Sequence, residues 1–185
     1  WSVGLPYDSI SGEGCVAFLQ GGIGWYSKSF PTTISANQKC YIVFDGVYNN
    51  SEYWINGKKL GYHLSGYAPF YFDVTDYLNP NEDNRMTVRV DHSHYADSRW
   101  YTGSGIYRDV KMIVTDRLHI PVWGTFVTTP VVTDKYAKVN NRVTVCNSCS
   151  EPRAAVVEVV YKDNKGNIAA FEVFSIKLNA GEEKI

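Results

Sequence analysis

The chain has 185 residues, of which 44% are hydrophobic and 20% charged, with a formal net charge of -1. That length allows one or two domains, and that composition can build a core. No basic excess is available to neutralise a phosphate backbone, and no apolar run reaches the ~18 residues of a membrane helix, so neither nucleic acid nor a bilayer is an expected partner. Aromatic residues are unusually frequent at 15%, with 14 Tyr and 5 Trp. Such residues favour half-buried strands and also present flat faces with a polar edge. The chain opens at Trp1 without Met and closes at Ile185 without a stop-like segment, which reads as a piece of a longer protein.

Strand signals recur throughout the chain, and helix signals are nearly absent. Gly21-Gly22-Ile23-Gly24 leads into an aromatic strand rather than a helix, which makes it a turn and not a phosphate cradle. Tyr41-Ile42-Val43-Phe44 is a compact apolar run ending at Asp45-Gly46. Glu52-Tyr53-Trp54-Ile55 and Lys59-Leu60-Gly61-Tyr62 flank Asn56-Gly57, a pair that tolerates the positive φ angles of a type I′ hairpin turn. Phe70-Tyr71-Phe72-Asp73-Val74 follows, then one capped helical turn at Thr75-Asp76-Tyr77-Leu78, closed by Asn79-Pro80-Asn81.

Met86 to Val90 and Asp109 to Val114 alternate apolar and polar residues with period two. Between them runs a long polar and aromatic loop, Asp91 to Gly105, of a length that in a compact domain is usually functional or disordered, and its two Gly residues, Trp100 and Tyr101 argue against disorder. The character changes near Thr115, where aromatic density falls. Arg142 to Cys146 reads as a single alternating strand. Ala154 to Tyr161 and Phe171 to Leu178 form a Val-rich hairpin around Asp163-Asn164-Lys165-Gly166. Residues 116–185 therefore read as a smaller β-sandwich, short of the ~100 residues of an immunoglobulin-like one.

Common catalytic constellations are missing. Retaining glycoside hydrolysis uses two carboxylates ~5 Å apart, and the acidic residues here sit mostly in turns: Asp45, Asp73, Asp76, Asp83 and Asp163. His92-Ser93-His94 would align two imidazoles but has no evident third metal ligand. The cysteines are Cys15, Cys40, Cys146 and Cys149, and a lone Cys-x-x-Cys without a second pair does not make a zinc site. No metal and no cofactor is expected. Asn49-Asn50-Ser51 matches a short glycosylation sequon.

The segment Asp97-Ser98-Arg99-Trp100 is different. Asp97 can accept hydrogen bonds from paired sugar hydroxyls, Arg99 can hold that carboxylate with a two-pronged contact, and Trp100 can lie on the apolar face of a ring. An internal Asp97–Arg99 ion pair with Trp100 as a loop anchor accounts for the same residues equally well.

Ser98-Arg99-Trp100-Tyr101-Thr102-Gly103-Ser104-Gly105-Ile106-Tyr107-Arg108 resembles the signature closing the amino-terminal domain of glycoside hydrolase family 2. Three further blocks occur in the family's order: Gly22 to Phe30, Phe44 to Gly57, and Leu60 to Phe70. Trp1 to Ile10 is similar to a divergent form of the family's opening, with Tyr7 and Ser9 where His and Trp are usual. Ser27 replaces a common Arg, and His92 stands where Asn is frequent.

The resemblance implies an all-β chain. A galactose-binding-like jelly-roll β-sandwich over residues 1–115 would be followed by an immunoglobulin-like β-sandwich over 116–185, the latter incomplete. It also implies a downstream TIM barrel in the same polypeptide that holds both catalytic Glu residues. The chain would then be the non-catalytic front of a β-galactosidase-like retaining hydrolase. It would scaffold the barrel and supply Asp97, Arg99 and Trp100 to the rim of the sugar pocket, with a carbohydrate as the substrate partner. Mannosidases and glucuronidases share this architecture, and the full-length enzyme could be homo-oligomeric. Compartment stays open: extracytoplasmic if an upstream signal peptide has been removed, cytoplasmic otherwise. Two other readings compete, an autonomous carbohydrate-binding module and a purely structural pair of adhesion-type sandwiches.

Overall fold

The computed structural model describes residues 22–93 and 103–185. The chain divides into two compact units, Trp1–Val114 and Thr115–Ile185. Among the described residues the regular structure is β, apart from one 3-10 turn. No helix there is long and apolar enough to cross a membrane.

The first unit contains β1 (Ile23–Pro31), β2 (Gln38–Phe44), β3 (Val47–Tyr48), β4 (Ser51–Ile55), β5 (Lys58–His63), β6 (Phe70–Asp73), the 3-10 turn Thr75–Tyr77, β7 (Asp83–Asp91), β8 (Gly105–Ile106) and β9 (Val110–Asp116). They form a four-stranded sheet in the order β1-β7-β4-β5, a three-stranded sheet in the order β6-β2-β9, and the small pair β3-β8. Period-two alternation decides which side of each strand is buried. In β7, Asn84, Met86, Val88 and Val90 point inward, while Arg85, Thr87 and Arg89 alternate with them outward. In β4, Ser51, Tyr53 and Ile55 are buried between the less buried Glu52 and Trp54. The inward residues meet Cys40, Ile42 and Phe44 of β2 in one core with Tyr26, Val47, Val74 and Leu78. Phe44 stacks on Phe70 at 5.1 Å and meets Tyr53 at 4.9 Å, offset and tilted geometries that suit the ring quadrupoles.

The β4–β5 hairpin turns at Asn56 and Gly57, both at positive φ (51° and 80°) as a type I′ turn requires. Asn56 does more than turn. Its Nδ2 donates to Tyr77 O and to Asn84 Oδ1, and its Oδ1 accepts from Arg85 N–H. Asn84 is fully buried and saturated: its amide also donates to Thr32 Oγ1, Asn79 O and Glu82 O, and its Oδ1 accepts from Asn79 N–H.

Local details differ from the sequence-based expectation in three places. The turn at Thr75–Tyr77 is 3-10, and its N-cap Val74 makes no side-chain cap. Asp73 takes the capping role instead, accepting from Thr75 N–H and Oγ1, because its position just before the turn suits an Asx arrangement. Gly24 lies inside β1 rather than in a turn. The run Arg142 to Cys146 is not one strand. It breaks at Thr144, whose N–H donates to Gly124 O, and its halves join different sheets.

The second unit holds β10 (Leu118–His119), β11 (Thr125–Val132), β12 (Ala137–Val143), β13 (Val145–Asn147), β14 (Arg153–Lys162), β15 (Ile168–Leu178) and β16 (Glu183–Lys184). β10, β13 and β16 pair as one sheet, while β11-β12 and β14-β15 are separate two-stranded ribbons. Asp163 makes the β14–β15 turn, accepting from Lys165 N–H and Asn167 N–H. Buried Asn147 organises the small sheet, donating to Glu151 O and Asn179 O and accepting from Cys149 N–H. Both faces of the β14–β15 ribbon carry apolar groups, with Val156, Val160, Phe171, Val173 and Phe174 exposed. A cavity of about 370 Å³ lies between this ribbon and β12–β13, lined by Val143, Val145, Val157, Val159, Phe174 and Ile176.

Candidate functional site

Asp97, Arg99 and Trp100, the residues singled out from the sequence, lie outside the described residues. His94, Cys15 and the opening segment Trp1 to Ile10 do as well. The structure does describe both ends of the loop that carries Asp97, Arg99 and Trp100, and what surrounds them.

The two ends are tied together. His92, just after β7, is buried, and its Nδ1 is hydrogen-bonded to Ser104 Oγ just before β8. β8 pairs with β3, placing Gly105 opposite Tyr48 and Ile106 opposite Val47. Tyr48 is buried and touches His92 edge-on at 5.1 Å and Tyr67 at 5.5 Å. Tyr107 Oη donates to Gly66 O at 2.8 Å. Four segments of the chain therefore converge where the loop begins and ends.

Two glycines make this convergence possible. A Cβ on Gly66 would stand 2.1 Å from Tyr48 Cδ2. A Cβ on Gly105 would stand 1.9 Å from Tyr26 Oη, and Gly105 also has φ +100°, a region side chains other than glycine's rarely enter. Close approach of backbone to aromatic ring is what these positions require.

Some described side chains of the first unit also carry unmet polar atoms. Asn49 Oδ1, His63 Nε2 and His92 Nε2 are buried with no hydrogen-bond partner. Such groups cost roughly 1–3 kcal/mol each, so native proteins retain few of them, and those few often mark functional positions. Burial holds the His63 imidazole below its ordinary pKa, favouring the neutral ring, which stacks on Phe70 at 3.9 Å. His92 was legible in the sequence only as a polar loop residue. Nothing in the sequence marked Tyr48 or Ser104 as its neighbours.

Carboxylates here are set up to stay ionised. A hydrogen bond from Lys59 and the charge of Arg89 hold Glu52 below the usual range. Hydrogen bonds from Ser93, supported by Arg89, lower Asp91 to about 2. Arg89 bridges the two, with Nη1 3.0 Å from Glu52 Oε1 and Nη2 2.8 Å from Asp91 Oδ2. A general acid in glycoside hydrolysis needs a raised pKa, the opposite of both. Among the described residues no cluster of three or more His, Cys, Asp or Glu is placed to hold a metal ion.

The profile of the glycosyl hydrolases family 2 sugar-binding domain matches residues 16–116. Over 179 residues, 96% of this chain, the sequence is 41% identical to a β-galactosidase of Bacteroides ovatus and spans 21% of it. Over 155 residues, 78% of the chain, it is 30% identical to a β-glucuronidase of Bacteroides fragilis and spans 22% of that protein. A solved family 2 glycosyl hydrolase from Bacteroides cellulosilyticus superposes on 100% of the chain with a TM-score of 0.88 and 33% identity, the chain covering 26% of it. A β-glycosidase from Bacteroides vulgatus matches 95% of the chain with a TM-score of 0.77 and 34% identity, with 24% of that structure covered. The chain thus spans between a fifth and about a quarter of these relatives' lengths.

Proposed function

The chain belongs to glycosyl hydrolase family 2, and we propose that it is the amino-terminal, non-catalytic part of a retaining β-galactosidase-like enzyme. The observation that carries this reading is the 41% identity to a named β-galactosidase across 96% of the chain but only 21% of the relative. In this reading residues 1–115 are the jelly-roll domain, and residues 116–185 are the first part of an immunoglobulin-like sandwich. The exposed apolar faces of the β14–β15 ribbon support an unfinished sandwich that further polypeptide completes. The two catalytic Glu residues belong to a TIM barrel further along the same polypeptide.

The role of this part is to scaffold the barrel and to shape the pocket that receives the terminal sugar. Asp97 accepts from sugar hydroxyls, Arg99 orients Asp97, and Trp100 lies against the apolar face of the ring. The largely buried base formed by Tyr48, His92, Ser104 and Gly105 supports this role, because it fixes where the segment carrying Asp97, Arg99 and Trp100 leaves and rejoins the sheets.

A second reading, a β-glucuronidase, is favoured by the relative of that name at 30% identity. Two measurements test the proposal together. The 185-residue chain should not turn over nitrophenyl β-galactoside or β-glucuronide, whereas a chain extended beyond Ile185 through the barrel should hydrolyse the galactoside in preference. In that extended enzyme, Asp97→Asn should lower kcat/KM by about 10–100-fold, the loss expected when a charged hydrogen bond of roughly 1.5–3 kcal/mol is removed. Turnover by the 185-residue chain, or an Asp97→Asn enzyme of unchanged kcat/KM, contradicts the assignment.

A further inference from the structure

The outer face of the four-stranded sheet carries a row of side chains unrelated to the core. Register places Trp25 of β1 opposite Arg89 of β7, Arg89 opposite Glu52 of β4, and Glu52 opposite Tyr62 of β5. Directly paired residues point to the same side of a sheet. The row therefore reads aromatic, cation, anion, aromatic across four adjacent strands. Trp25 is 57% exposed and Tyr62 is 68% exposed.

The row is held in shape from beneath and from the side. Trp54, in the neighbouring row, meets Trp25 at 5.5 Å with a 33° tilt, and Lys59 Nζ lies over the Trp54 ring at 5.6 Å. Lys59 also pairs with Glu52, and Arg89 bridges Glu52 and Asp91. Each charged group is thus fixed by a partner while keeping lone pairs or protons to spare. A cleft of about 250 Å³ opens over these groups, lined by Asn50, Glu52, Lys59, Tyr62, Arg89 and Asp91.

We infer that this sheet face is a binding site for a neutral oligosaccharide, built from residues other than Asp97, Arg99 and Trp100. Three features select that ligand class. Trp25 and Tyr62 offer flat faces for the apolar side of a pyranose. Glu52 and Asp91 accept while Arg89 and Lys59 donate, which suits neighbouring hydroxyls that do both. The two anionic and two cationic groups cancel, so an anionic sugar such as a uronate gains nothing from the site and pays to be desolvated. β1 and β5 are three strand spacings apart, roughly 14 Å, the span of a di- or trisaccharide rather than of one ring. The cleft itself is below the ~300 Å³ at which enclosed ligand pockets begin, as fits an open, shallow subsite.

The test is a titration of the isotope-labelled 185-residue chain, following tryptophan indole N–H signals, with galactotriose, cellotriose and mannotriose, and with D-glucuronate as the anionic control. At least one neutral trisaccharide should shift the Trp25 signal with a Kd of about 1 mM, the range expected for a shallow and solvent-exposed site. Trp25→Ala, read through the indole signal of the adjacent Trp54, and, independently, Tyr62→Ala should each weaken it about tenfold, and both exposed positions tolerate truncation without unfolding. Trp100→Ala should leave it unchanged, which separates this site from the proposed pocket rim. Failure of all three trisaccharides to bind, full binding by Trp25→Ala, tighter binding of glucuronate, or loss of binding in Trp100→Ala alone would each overturn the inference.

Discussion

The contact between Gly105 and Tyr26 gives the most direct test of how the loop base is built. In Gly105→Ala two costs add. Alanine must adopt φ +100°, a backbone strain of about 1–3 kcal/mol. Its Cβ would also meet Tyr26 Oη at 1.9 Å and Tyr26 Cζ at 2.8 Å. Tyr26 is 8% exposed and embedded in the core, so it cannot swing away freely, and overpacking of this kind costs about 1–3 kcal/mol. The variant should lose about 2–6 kcal/mol in urea unfolding followed by far-ultraviolet circular dichroism. The two costs can be separated. Tyr26→Phe deletes the oxygen that makes the closest contact but leaves the φ of Gly105 untouched. The double variant should therefore recover much of the steric cost and none of the backbone cost, giving a coupling of roughly 1–3 kcal/mol. A Gly105→Ala variant within 0.5 kcal/mol of the parent, or strict additivity in the double variant, would refute this account of the loop base.

Other expectations follow from buried polar groups. Asn84→Ala strips partners from Thr32, Asn79 and Glu82 at once and should destabilise by about 2–4 kcal/mol, read as a lower urea midpoint with an unchanged slope. Burial pushes the Cys40 thiol up to about 11, so it should resist a thiol reagent at pH 8 and react only once urea unfolds the first unit. His63 has a folded pKa below its unfolded one, so its contribution to stability is present above the ordinary imidazole value of about 6.5 and is lost as pH falls through the values below it. His63→Phe, which keeps an aromatic ring against Phe70, should flatten the loss of stability between about pH 7 and 5; an unchanged pH profile would argue against that assignment.

Much of this molecule is written in short-range sequence. Alternation along Met86 to Val90 is enough to assign the inward and outward sides of β7, because side chains in a strand alternate whatever lies around them. Asn56-Gly57 states its own turn, since few residue pairs tolerate two positive φ angles. The ordered motifs from Gly22 to Arg108 state the family. The loop carrying Asp97, Arg99 and Trp100 is legible as a chemically loaded segment for the same reason, as all of its groups are adjacent in sequence.

What the sequence left open depends on residues far apart along the chain. The split of Arg142 to Cys146 between two sheets follows from a hydrogen bond between Thr144 and distant Gly124. The meeting of Tyr48, Gly66, His92 and Ser104 requires the β3–β8 pairing, which joins segments almost sixty residues apart. The row Trp25, Arg89, Glu52, Tyr62 exists only once three antiparallel registers are fixed, and a one-residue slip in any of them would turn half of it into the core. Local pattern determined an all-β chain, and the ordered motifs determined its likeness to glycoside hydrolase family 2. Only the tertiary structure decided which of its many aromatic residues form the core and which face solvent, because burial is set by register and by which sheet lies opposite.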